Sequence, residues 1–233
     1  MYVYLKLKKF IYNFYKFAFR ITTSGIRNIG FKRFQPISNK FGTDRGQPID
    51  RYYIEDFIGR NANFISGRVF EIGDNFYTKK YGHNICESIV GAGKKDNEFP
   101  NLDLTNPKSY QDIGKFDCVI ATQVLNFIFD YEAAITGLNA LLKKEGVLIL
   151  TVAGLTQISH YDSIKWGDYW RFTYQSVKMI FKKKFRLIEV QTYGNSYAAK
   201  KFLDGFCVED VKLKQLNKKD HNYQIVICSV MKK

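Results

Sequence analysis

Apolar residues recur at helical spacing from the first positions of the chain. Val3, Leu7, Phe10, Phe14, Phe17 and Ile21 stand four, three, four, three and four apart, which is one face of a helix over 2–21. Lys6, Lys9, Lys16 and Arg20 form a second stripe. Gly25 and Gly30 break the pattern, and 31–41 reads as a basic connector. From residue 44 onward strands and helices alternate. The first helix is expected over 50–64, with Asp50 as its cap and Ile54, Phe57 and Ile58 as its apolar stripe. Strands are expected at 68–73, 84–90, 102–105, 116–122, 146–152, 185–192 and 223–231. Helices are expected between them at 76–81, 130–143 and 173–181. This order implies an α/β fold: a seven-stranded, mainly parallel sheet with helices on both faces, preceded by a basic amphipathic helix. The chain divides into an arm, 1–40, and one domain, 41–233.

Composition narrows the partners. Hydrophobic residues make up 45% of the 233 positions and charged residues 25%, so the domain can bury a core and general disorder is excluded. No apolar run approaches the ~18 residues of a membrane-spanning helix. The arm has neither an uninterrupted apolar stretch nor a small-residue cleavage site, so a secretory leader is not expected. The formal charge is +14, but nine of the 36 basic residues and none of the 22 acids lie in 1–40. The rest of the chain carries a net of only +5, so a nucleic-acid partner is not expected. The arm helix is expected to pack on the domain, on a second copy in a homo-oligomer, or on an anionic membrane surface. Cys86, Cys118, Cys207 and Cys228 are scattered, and His83, His160 and His221 stand apart from them. Free thiols in a reducing, cytoplasmic compartment are expected, and no metal site.

The densest chemistry follows the fifth strand, in GLTQISHYDSIKWGDYWRFT (154–173). His160, Asp162 and Asp168 are candidate general bases there, the reaction step that moves a proton from an attacking group. Trp166, Tyr169, Trp170 and Arg171 are candidate substrate contacts, through flat faces for sugar rings and a guanidinium fork.

Four segments together resemble the class I S-adenosylmethionine-dependent methyltransferases. VFEIGD (69–74) resembles the family's first motif, LDLT (102–105) its acid-containing turn, FDCVIATQVLNFIFD (116–130) its fourth-strand motif and LLKKEGVLILTVAG (141–154) its fifth-strand segment, with Glu145 where glycine is usual. FGTDRGQPIDRYYIE (41–55), EIGDNFYT (71–78) and WGDYWRFT (166–173) resemble a bacterial subgroup associated with glycan and cell-envelope polysaccharide biosynthesis.

The resemblance implies a Rossmann-like fold and S-adenosyl-L-methionine as cofactor. It implies that Glu71 holds the cofactor's amino group or its water, and that Gly73, Asp74 and Asn75 form the turn beneath it, with Asn75 left-handed in place of a glycine. Glu87 or Ser88 would meet the ribose, Asp103 and Leu104 the adenine, Gln123 the methyl, and Arg51 the carboxylate. The implied activity is O-methylation of a sugar or glycan intermediate. A small metabolite, lipid or RNA acceptor, and a catalytically degenerate binding protein, stay open as alternatives.

Overall fold

The computed structural model describes residues 10–16, 18, 34–92, 98–99 and 101–233. Residues 10–16 are helical; the remainder of the expected 2–21 helix lies, but for residue 18, outside the described residues. The body begins with α1 (Ile49–Arg60), β1 (Gly67–Ile72), α2 (Phe76–Tyr81) and β2 (Ile85–Gly91). It continues with β3 (Phe116–Thr122), α3 (Tyr131–Leu141), β4 (Leu142–Ala153), α4 (His160–Lys165) and α5 (Tyr174–Phe181). The chain closes with β5 (Arg186–Tyr193), α6 (Ser196–Leu203), α7 (Leu213–Leu216) and β6 (Val226–Lys232).

These strands form one six-stranded sheet in the order β2-β1-β3-β4-β6-β5. β2, β1, β3 and β4 pair in parallel, and β6 runs antiparallel between β4 and β5. Successive residues of β3 serve opposite faces, as the two-residue period of a strand requires. Val119 and Ala121 pack with Leu138, Val177 and Phe181 on the α3–α5 side. Cys118 and Ile120 pack with Ile54, Phe57 and Phe202 on the α1–α6 side.

Two expectations are corrected. Residues 102–105 are a turn and not a strand, which reduces the sheet from seven strands to six among the described residues. The Asp103 carboxylate accepts from the Thr105 N–H (2.8 Å) and hydroxyl (2.7 Å), a local bond that competes with any ladder. Beyond β2 the described sheet holds one isolated bridge, Gly91 to Phe99. Secondly, Asp50 is not the cap of α1. Pro48 occupies that position, and the Asp50 carboxylate accepts instead from the Arg51 N–H at 2.7 Å. Glu145 has φ +66°, which explains why glycine suits that place: it lies within β4 at the irregularity in its pairing with β3.

Residues 34–47 lie against the segment after α6. Arg45 is almost fully buried and meets Asp210 through Nε (2.9 Å) and Nη2 (3.2 Å). The Ile37 N–H donates to the Asp204 carbonyl at 2.8 Å.

Candidate active site

Parallel strands gather their carboxyl ends on one edge, and in open α/β sheets ligands bind there. Two cavities occupy that edge. The larger, about 680 Å³, is lined by Gly73, Ala92, Leu102, Asp103, Leu104 and the aromatic rim formed by Phe127, Phe129, Trp166 and Tyr169. The smaller, about 300 Å³, is lined by polar groups from three segments, among them Thr43, Asp50, Arg51, Asn126, Asp162, Asp168 and Arg171. Thr122, Gln123 and Phe127 line both, so the cavities adjoin at the end of β3. Gln123 sits there at φ +56°, its N–H donating to the Thr151 carbonyl at 2.8 Å. A non-glycine residue held left-handed is the kind of strain that collects at functional sites.

The turn after β1 is built around a buried carboxylate. Glu71 accepts from the N–H groups of Tyr77 (3.0 Å) and Thr78 (2.8 Å) and from the Thr78 hydroxyl (2.7 Å). It thereby caps the start of α2. Burial raises the Glu71 carboxyl above its ordinary value, against the pull of these bonds. Gly73 follows at φ +97°, and nothing stands within 4 Å of where its Cβ would be. The glycine is required by the backbone angle, and the space over it is open.

The fold is shared with solved structures. The N-methyltransferase NodS from Bradyrhizobium japonicum WM9, solved with S-adenosyl-L-homocysteine, superposes with a TM-score of 0.53 at 13% identity, over 84% of this chain and 93% of that one. A methyltransferase dependent on S-adenosylmethionine from Mesorhizobium loti superposes with a TM-score of 0.50 at 9% identity, over 79% and 98%. This chain has the S-adenosylmethionine-dependent methyltransferase fold. The [4+2]-cyclase SpnF also superposes, with a TM-score of 0.53 at 10% identity, over 94% and 95%, so this methyltransferase fold is not confined to one chemistry. No family model matches the chain, and no curated protein matches it.

Within the methyltransferase fold the expected cofactor residues fall into three groups. Gly73, Asp103, Leu104 and Gln123 line the larger cavity. Arg51 lines the smaller one and bonds the Tyr77 phenol. Glu71, Asp74, Asn75, Glu87 and Ser88 line neither, and the Glu71 carboxylate expected to hold the cofactor's amino group is taken up by the start of α2. Asp74 accepts from the Phe76 N–H at 3.0 Å. Asn75 has φ −110° and does not take the left-handed conformation expected of it. Glu87 is exposed and paired with Arg68. The Ser88 hydroxyl is buried and has no partner.

The expected bases also separate. His160 is exposed at the first turn of α4 and lines neither cavity. Asp162 lines the smaller cavity and accepts the Ser159 hydroxyl at 2.6 Å. Asp168 lines it too, held by a bidentate Arg171 fork (2.5 and 2.9 Å) and the Ser159 N–H (3.0 Å). Burial alone would raise the Asp168 carboxyl, but these bonds hold it below the usual range. Of the expected substrate contacts, Trp166 and Tyr169 rim the larger cavity and Arg171 lines the smaller. Trp170 lines neither; its indole N–H donates to the Ile128 and Phe129 carbonyls, both at 3.1 Å.

Two features of the smaller cavity had no counterpart in the sequence pattern. Asp50 lines it, and burial lifts its carboxyl above the ordinary value, more than the adjacent Arg51 lowers it. Asn126 is 3% exposed, and its Oδ1 has no hydrogen-bond partner; the same holds for Arg171 Nε.

Proposed function

We propose that the chain is an S-adenosylmethionine-dependent methyltransferase that methylates a hydroxyl of a sugar or glycan intermediate in the cytoplasm. The observation that carries the reading is the pair of adjoining cavities, one large and rimmed by apolar rings, one small and polar, joined at Gln123. The larger suits the cofactor by size and by the open backbone at Gly73. Gly73, Asp103, Leu104 and Gln123 would hold it, and it would supply an electrophilic methyl group on a sulfonium.

The smaller cavity suits a polyhydroxylated acceptor. A buried unpaired acceptor, Asn126 Oδ1, and an unpaired donor, Arg171 Nε, are each costly until bonded, and one hydroxyl can give to the first and receive from the second. Asp50 would take the proton that the reacting hydroxyl loses. A carboxylate made more basic by burial is better suited to this than Asp168, whose charge Arg171 stabilises. The cytoplasmic placement rests on scattered thiols, which suit a reducing compartment.

Calorimetry with S-adenosylmethionine, followed by measurement of S-adenosylhomocysteine release with sugar nucleotides as acceptors, tests the reading. Micromolar binding with acceptor-dependent release is expected, on the order of 8 kcal/mol of binding free energy. Absence of cofactor binding would sink the enzyme reading and leave a protein that only shares the fold. Release with a non-sugar acceptor would keep the methyltransferase and change its substrate.

A further inference from the structure

The segment after β4 is amphipathic in the reverse of the usual sense. Its polar residues Thr156, Gln157, Ser159 and Asp162 line the smaller cavity. Its apolar residues lie in solvent at every third position: Leu155, Ile158 (59% exposed), Tyr161 (67%) and Ile164 (76%). A surface helix normally turns that stripe to the core. Here α4 buries none of its residues. The only acid between 154 and 167 is Asp162, which faces the cavity, whereas Lys165 stands over the Trp166 ring at 4.3 Å.

A second surface of the same character is carried by the arm helix. In the described part of the arm helix, Phe10, Ile11, Phe14 and Tyr15 are all exposed, as is Phe34. One short stretch of chain, 39–43, touches both segments, the 155–166 one on its cavity side. The Lys16 ammonium donates to the Thr43 carbonyl at 2.7 Å, and the Gln157 amide donates to the Asn39 carbonyl at 2.8 Å. The arm adds nine basic residues within 1–40 and no acid.

We propose that the 155–166 segment and the arm helix together form a face that seats the protein on an anionic lipid bilayer, with the smaller cavity beside it. Exposed Ile, Phe, Tyr and Trp among unopposed lysines match the interfacial zone of such a membrane. Among the described residues no helix is long and apolar enough to cross it, so the contact is interfacial. The lipid face stands independently of the methyltransferase reading; only the description of the neighbouring cavity as an acceptor site rests on it.

Flotation of the full chain with vesicles tests this, comparing equal phosphatidylglycerol and phosphatidylcholine with phosphatidylcholine alone. The chain should float with the anionic vesicles, weakly or not at all with the neutral ones, and be released by added salt. The I158S/Y161S/I164S variant should lose at least about tenfold in partitioning, ~1.4 kcal/mol, with an unchanged circular dichroism spectrum. If that variant does not fold, Ile164→Asp at the most exposed position serves instead. Failure of the full chain to float, equal binding to neutral vesicles, or parental binding by the variant overturns the proposal. If the full chain ignores vesicles and the variant turns an oligomer into a monomer, the face contacts protein and the lipid proposal falls. Calorimetry with S-adenosylmethionine separates the two readings: a chain that floats but never binds the cofactor loses the enzyme and keeps the membrane face.

Discussion

Its hydrogen-bond partners set Asp50 apart from the other carboxylates of the smaller cavity. Asp162 is bonded to Ser159 and Asp168 to Arg171, while Asp50 has a carboxyl raised by desolvation and one backbone bond. An acid whose folded-state pKa is raised stabilises the protein below its unfolded value, about 3.9, and loses that contribution as pH rises through the raised value. At pH 7 the charged Asp50 is therefore a cost. Asp50→Asn should melt no lower than the parent at pH 7, yet turnover should fall by ~100-fold or more with cofactor affinity unchanged. A lower melting point together with parental turnover would assign Asp50 to structure alone. Gly73 and Gln123 were legible as cavity-lining positions because each directly follows a strand, β1 and β3, where chain position implies place. The roles proposed for Asn126 and Asp50 were not legible, since what distinguishes them is a missing partner and a desolvated carboxyl, both tertiary properties. The dense polar segment after β4 reads as one site in sequence, whereas α4 divides it between a cavity side, with Asp162, and a solvent side, with His160.

At the scale of elements, periodicity located the six strands and α1, α2, α3 and α5, but not the short helices α4, α6 and α7. LDLT alternates as a strand should, but the Asp103–Thr105 bonds close it into a turn beside the larger cavity. β4 starts at Leu142, ahead of the expected 146, because its pairing with β3 jumps from Phe116–Leu142 to Cys118–Val147 and carries an irregularity there. The 34–47 segment, read as the end of an arm and the start of a polar motif, is fixed by Arg45 and Asp210, whose side chains are 0% and 5% exposed. Burial would raise the Asp210 carboxyl, but the bonds from Arg45 and Cys207 outweigh it and hold it low. Breaking a buried pair from one side leaves a charge without its counter-ion, so Asp210→Ala should cost about 3–5 kcal/mol by urea denaturation at pH 7. The Arg45→Met/Asp210→Leu double variant should recover much of that. The Asp210 contribution is present above an unfolded pKa of about 3.9 and lost as pH falls through the lowered folded value, so the gap between parent and Asp210→Ala should narrow toward pH 2. A gap that is constant with pH would mean the loss is one of packing.

For the whole molecule, the question is where the folded body ends and the charged arm begins. Composition shifts at Asp44, the first acid, and drew the line near residue 41. Contacts run further back. Ile37 and Ser38 are buried, at 7% and 5% exposure, and the Ser38 hydroxyl donates to Asp44 at 2.5 Å. Phe34, by contrast, is 95% exposed. A chain beginning at Phe34 should therefore keep the parent's melting temperature and cofactor affinity while shedding eight basic residues. A chain beginning at Phe41 should lose the burial of Ile37, ~2 kcal/mol, and melt roughly 4–8 °C lower for a body of this size. Thermal melts of the two truncations, read beside vesicle flotation, separate what the arm does for the membrane from what its last residues do for the fold. If both melt as the parent, residues 34–40 belong functionally to the arm. If both melt low, the Lys16–Thr43 contact signals that the arm helix itself supports the body.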